Sequence, residues 1–142
     1  MLPLTIRLDG FRLGRSVRRE RTRLTTELWL RYPGLMFGDP SEFRVACGAG
    51  PWLVTLTRLA PSERLDDDKL ASSFKAVRDE LAGWLGVSDG NQARVRWLYA
   101  QRKAGWGIEL RIEDRDGPTG AAACLLLPHL EHSQAVLQGG PP

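Results

Sequence analysis

The chain is poor in the residues that most often advertise a particular chemistry. It has two cysteines, Cys47 and Cys124, and two histidines, His129 and His132. The cysteines stand far apart, with no Cys or His near them at structural-zinc spacing, which excludes a zinc knuckle or ribbon. They read as free thiols, with a disulfide between them as the alternative. His129 and His132 form an H-x-x-H pair with no carboxylate or Cys at the right positions for a metal site, and read as a chance pair. No G-x-S-x-G elbow, Walker A loop or Rossmann glycine pattern occurs, so no organic cofactor is expected. The D-x-D-x-D-G pattern of a calcium loop is missing too. The longest apolar run, Ala121 to Leu127, is too short to span a bilayer, which argues against a membrane partner. Met1-Leu2-Pro3-Leu4 is followed at once by Arg7 and Asp9, unlike a secretory leader, so a cytoplasmic protein is expected.

Lysine is scarce as well. Of 20 basic residues only Lys69, Lys75 and Lys103 are lysine, and the other 17 are arginine. A formal charge of +3 says little by itself about partners. The arginine bias has two readings: genomic base composition, or the suitability of a planar guanidinium for bidentate contact with phosphate. What the chain does have is apolar residues enough, 42% of 142, for one domain with a real core.

Periodicity places the elements. Thr5 to Phe11 alternates as a short strand, and Asp9-Gly10 is a turn. From about Arg15 to Arg31 a helix is predicted, with Leu13, Val17, Leu24 and Leu28 on one side and Arg12, Arg15, Arg19 and Arg23 on an adjacent face. Six arginines fall between Arg12 and Arg23, with Glu20 the one acid among them. That face is either a solvated charged surface or a nucleic-acid contact. Residues 32–50, rich in Gly and Pro, read as loop with a short strand at Phe43–Cys47. Trp52 to Leu59 alternates as a strand. Asp68 to Leu85 reads as one continuous helix, its stripe made by Leu70, Phe74, Val77, Leu81, Trp84 and Leu85. Residues 94–101 and 108–112 read as the two arms of a β-hairpin. The last stretch, from Ala121, is apolar and then loop-like: an extra helix or strand, or a loosely held tail.

The most unusual run is Arg64-Leu65-Asp66-Asp67-Asp68-Lys69-Leu70. One Asp suffices to cap a helix and complement its dipole, which is the plain reading of this triplet. Three adjacent acids repel one another, however. If residues 66–68 are extended, Asp66 and Asp68 point to the same side, where together they would suit a hard, oxygen-loving cation such as Mg²⁺. Asp89 stands just past the far end of the same helix.

In order and in motif the chain resembles the RusA family of Holliday junction resolvases, found in bacteriophages and prophages. The likeness rests on a basic N-terminal helix, a strand, Asp66-x-Asp68-x-Leu70 opening a helix, an acidic turn at Asp89 and a β-hairpin. Closest are the runs Leu65-Asp66-Asp67-Asp68-Lys69-Leu70, Phe74-Lys75-Ala76-Val77-Arg78-Asp79 and Leu85-Gly86-Val87-Ser88-Asp89-Gly90. It covers about residues 5 to 114. The resemblance implies an α+β fold with a small mixed sheet and two principal helices, built as an intertwined homodimer. It implies a nuclease domain at 1–116 with a C-terminal extension at 117–142. It also implies Mg²⁺-dependent cutting of four-way DNA junctions, with Mn²⁺ as a substitute, and Asp66, Asp68 and Asp89 as catalytic metal ligands.

Two positions depart from the pattern: Lys69 stands where the family has Asn, and Ser72 where its best-known branch has a lysine. Lys75, nearly one turn further along, is the candidate replacement for the phosphate contact. Arg15, Arg19, Arg23, Lys69 and Arg78 are the candidate DNA-binding residues. A helix from Lys69 to Leu85 is about 25 Å long, so Asp89 lies apart from Asp66 and Asp68 within a chain. Two such helices packed antiparallel about a two-fold axis would join them across subunits. The alternatives to a nuclease are a non-cleaving DNA-binding module of the same fold and a small phage adaptor.

Overall fold

The computed structural model describes residues 3–14, 16–62 and 64–116. Arg15 and the 117–142 extension, with Cys124, His129 and His132, lie outside the described residues. In chain order the elements are β1 (Leu4–Asp9), α1 (Val17–Arg31), a 3₁₀ turn (Pro33–Phe37), α2 (Ser41–Cys47), β2 (Trp52–Ala60), α3 (Asp67–Ser73), α4 (Lys75–Leu85), β3 (Val95–Lys103) and β4 (Gly107–Asp114). The class is α+β, as expected, around one mixed four-stranded sheet.

The sheet order is β1-β4-β2-β3, with β4 antiparallel to both β1 and β2, and β2 parallel to β3. The expected β3–β4 hairpin is therefore wrong: β2 lies between its arms. The short link through Ala104 crosses the end of β2, where the Ala104 amide donates to the Ala60 carbonyl at 3.1 Å. The reason is burial. β2 is the most apolar strand, Trp52 to Thr57 are all buried, and a central place pairs both of its edges.

On one face of the sheet Ile6, Leu8, Val54, Leu56, Ile108, Leu110 and Ile112 pack against Leu24 and Leu28 of α1 and Leu70, Phe74, Val77 and Leu81 of the later helices. The other face carries threonines and ion pairs, Arg102–Glu109 at 4.0 Å and Arg111–Glu113 at 3.7 Å. Leu24 and Leu28 occupy the inner side of α1 as expected, and Leu13 packs partly against the core. Val17 does not, because it opens the helix before α1 reaches the core, and it stays 59% exposed. The expected strand at Phe43–Cys47 is instead part of α2. One helical turn sets Phe43 and Cys47 on the same side, and both are fully buried. Cys47 is a free thiol whose pKa burial pushes up to about 12.

The long helix predicted from Asp68 to Leu85 is two helices. Ser72 and Ser73 donate their hydroxyls back to the carbonyls of Asp68 (2.8 Å) and Leu70 (2.7 Å), in competition with the helical ladder. Phe74 then sits at φ −92°, ψ 2°, with its ring fully buried beside Tyr99. The apolar stripe runs on through the break, which is why periodicity does not reveal it. That stripe is used up inside the chain. Val77, Leu81 and Leu85 are buried, and α1 is tied alongside α4 by Thr25–Glu80 (2.9 Å) and Arg21–Asp79 (3.6 Å). The apolar surface expected to serve a partner α4 helix is therefore not available. The exposed large apolar side chains among the described residues are Val17, Leu30, Met36, Phe37 and Val45.

Candidate functional site

The acidic end is built by β2, β3 and the start of α3. After β2 the chain turns, and Leu65 is pinned to the sheet by one side chain. Gln101, 2% exposed, accepts from the Leu65 amide (3.0 Å) and donates to the Leu65 carbonyl (2.7 Å). Arg58 closes this corner, donating to Gln101 at 3.4 Å and to Ser62 at 3.1 Å. Nothing in the local pattern marks Gln101: it lies 36 residues away and acts only because β3 pairs with β2.

Asp66 follows at once as the N-cap, its Oδ1 accepting from the Lys69 amide at 2.9 Å, an interaction that contributes about 1 kcal/mol. Asp67 and Asp68 stand in the first helical turn. The extended backbone that would align Asp66 with Asp68 is thus confined to Asp66, at φ −67°, ψ 166°. All three carboxylates are exposed, and none has an ionic partner among the described residues. Lys69 is exposed on the same turn.

Ser72 is committed to the Asp68 carbonyl, and Lys75 lies beyond the break, at the first position of α4. Lys75 and Ser72 thus stand on different helices, α4 and α3. Lys75 meets Asp79 at 3.7 Å, an exposed i,i+4 pair worth only about 0.3–0.5 kcal/mol, too little to hold it from a phosphate.

The other end follows α4. Gly86 closes the helix at φ 77°, and a Cβ there would come within 2.8 Å of the Arg44 guanidinium. Asp89 sits beyond it, half-exposed, with Oδ2 3.2 Å from Arg78 Nε. The contact is an ion pair without hydrogen-bond alignment, since that Nε has no hydrogen-bond partner. The Asp89 carbonyl accepts from Trp97 Nε1 at 2.9 Å. Arg78 also donates to the Tyr99 hydroxyl, whose pKa burial raises. With Arg96 these residues line a cleft of about 570 Å³. Arg78 is thus a cleft residue paired to Asp89, rather than a point on an open basic surface.

The structure brings Arg78 and Asp89 together beyond α4, and places Asp66 and Asp68 at the start of α3. Among the described residues no three His, Cys, Asp or Glu side chains converge where they could share a metal ion.

The basic end is the start of α1, where Arg19 and Arg23 meet Arg12 around a concavity. Arg15, the third member of the predicted face, lies outside the described residues. Among those residues no helix is long and apolar enough to cross a membrane.

No family model, curated protein or solved structure matches the chain. The fold class and the residues above therefore carry the functional reading.

Proposed function

We propose that this chain is a metal-dependent, structure-selective endodeoxyribonuclease that acts on branched DNA, Holliday junctions included, as a homodimer. The observation that carries the reading is the layout of the acids. Asp66 and Asp68 are exposed and have no ionic partner among the described residues at one end of the α3–α4 unit, and Asp89 is at the other, in an arginine-lined cleft. Such separation is what a site shared between two chains requires. Asp66 and Asp68 of one protomer and Asp89 of its partner would be the oxygen donors for Mg²⁺ or Mn²⁺. Lys69, Lys75 and Arg78 would lie beside the DNA. The two chains would meet through surface other than the α4 stripe. The test is a synthetic four-way junction with Mg²⁺. The proposal expects paired nicks at the branch, and intact DNA under saturating protein would overturn it.

A second reading, a DNA-binding protein that does not cut, has specific support. Asp89 is already paired with Arg78, and Asp66 is engaged as a cap. It expects salt-sensitive junction binding with no nicking under any divalent ion.

A further inference from the structure

The arginines of this chain fall into two groups. Most are engaged locally: Arg7 with Asp9, Arg21 with Asp79, Arg78 with Asp89, and Arg44, Arg94 and Arg115 with backbone carbonyls. Arg12, Arg19 and Arg23 differ in converging on one place, although Arg23 also donates to the Asp9 carbonyl. None has a carboxylate partner among the described residues, and all three line one concavity of about 290 Å³ with Phe11, Ser16 and Glu20. We propose that this concavity is a phosphate-binding pocket.

Its parts are held in place before any ligand arrives. The Arg12 guanidinium lies over Trp106, 4.2 Å from the ring centroid. The Arg23 guanidinium lies over Phe11 at 5.7 Å and donates to the Asp9 carbonyl. Cation–aromatic contact orients a guanidinium without using up its charge, and leaves N–H groups for bidentate contact with phosphate oxygens. Gly10, at φ 73°, makes the turn that brings Arg12 back over Trp106, and its amide donates to the Trp106 carbonyl at 2.6 Å. Arg19, exposed, makes no side-chain interaction among the described residues and is the third cation.

The one acid at the site, Glu20, is buried in the lining and engaged by the loop backbone. Its Oε2 accepts from the Gly14 amide at 3.1 Å, which holds the loop closed onto the helix. The result is a concave, cationic site at the small end of ligand pockets, which run from about 300 Å³ upward. A general bias towards arginine would not account for three guanidiniums, none with a carboxylate partner among the described residues, converging on one concavity.

The ligand class is a phosphate group, supplied either by a strand end as a monoester or by a continuous backbone as a diester. The inference rests on the DNA-binding half of the proposed function and not on the acids, so the two fail separately.

The experiment titrates the full chain with fluorescent single strands carrying or lacking a 5′-phosphate. It competes them with inorganic phosphate against chloride at matched ionic strength. The wild type should bind the strand with an affinity that phosphate reduces more than chloride does. The combined Arg12→Ala, Arg19→Ala, Arg23→Ala variant should lose about tenfold or more, as when bidentate charged contacts are removed, and should lose the phosphate sensitivity. Arg18→Ala, on the same helix outside the pocket, should keep both.

Arg23 also braces β1, so the triple variant can be destabilised. Arg19→Glu changes an exposed side chain without that role and should reproduce the loss in folded protein. A 5′-phosphate advantage that vanishes in Arg19→Glu assigns the site to strand ends. Equal affinity for the two strands, both weakened by Arg19→Glu, assigns it to the backbone. Affinity unchanged in Arg19→Glu, or phosphate no more effective than chloride, would overturn the pocket. Loss of junction cutting with phosphate competition intact would reject the nuclease and leave the pocket standing.

Discussion

Two helices of this chain open on charge, and they do so in opposite ways. At the start of α1 the cations are braced: aromatic faces hold Arg12 and Arg23, and the buried Glu20 fixes the loop. At the start of α3 the anions are exposed, and of their carboxylates only that of Asp66 is engaged among the described residues, as a cap. A braced charge is complete within one chain, whereas an unbraced group of acids stands open to something else. In this account the DNA-binding half of the protein is finished in the monomer, and the cutting half waits for a second protomer.

The comparison breaks most sharply when two kinds of damaged chain are mixed. A heterodimer of one Asp68→Asn chain and one Asp89→Asn chain has one site lacking both acids and one site keeping all three. It should nick a single strand of the junction, while each parent homodimer nicks neither. A purified heterodimer that leaves the junction intact, beside an active wild type, would end the shared-site idea.

Next in size is Gln101→Ala. It strips both hydrogen bonds from the Leu65 backbone and leaves buried polar groups unpaired, a cost of about 2–3 kcal/mol in chemical denaturation. If Gln101 aims the acids, cutting should fall further than stability explains, and strand binding at the arginine pocket should hold. Equal losses in both would make Gln101 purely structural.

Smaller again is the cap. Asp66→Ala should cost about 1 kcal/mol of stability and Asp66→Asn much less, because an amide oxygen caps nearly as well. Both should lose cutting if Asp66 is a ligand, so stability and activity part company in the Asn variant alone. Cutting retained in Asp66→Asn would return Asp66 to a plain cap.

The smallest effect is at Glu20. Burial raises its pKa, so the folded state favours the neutral carboxyl. The folded pKa lies above the unfolded one, so its contribution is fully present below the unfolded value near 4.5 and is lost as pH rises through the folded pKa. Glu20→Gln should remove that loss, so its stability relative to wild type should rise across this window. A stability difference that is flat with pH would show that Glu20 does not titrate there.

Local pattern carried much of the fold. β1, α1, β2 and the positions of β3 and β4 follow from periods of two and 3.6, and the arginines of α1 were visible as a face. What escaped was nonlocal or short. Seven residues between Pro40 and Gly48 are too few to show a helical period, so α2 read as loop and strand. The break at Phe74 hid inside an unbroken stripe. The link between β3 and β4 has the length of a hairpin turn, and only burial decides that β2 enters between them. At the site, Asp66, Asp68 and Asp89 stood out by type and spacing. Gln101 holding Leu65 and Trp106 holding Arg12 depend on pairings that span the whole sheet and have no local signature.

The central claim is that the acids at α3 cut and do not merely cap, and Asp68→Asn tests it most directly. The amide keeps the shape at the helix start and removes one negative charge beside the DNA, but is a much poorer ligand for a hard cation. With a four-way junction and Mg²⁺, the account predicts that Asp68→Asn binds as well as wild type or slightly better, yet cuts slower by orders of magnitude. Asp67→Asn, the neighbouring control, should cut normally. Cleavage by Asp68→Asn at the wild-type rate, with wild type active in the same assay, would contradict the assignment.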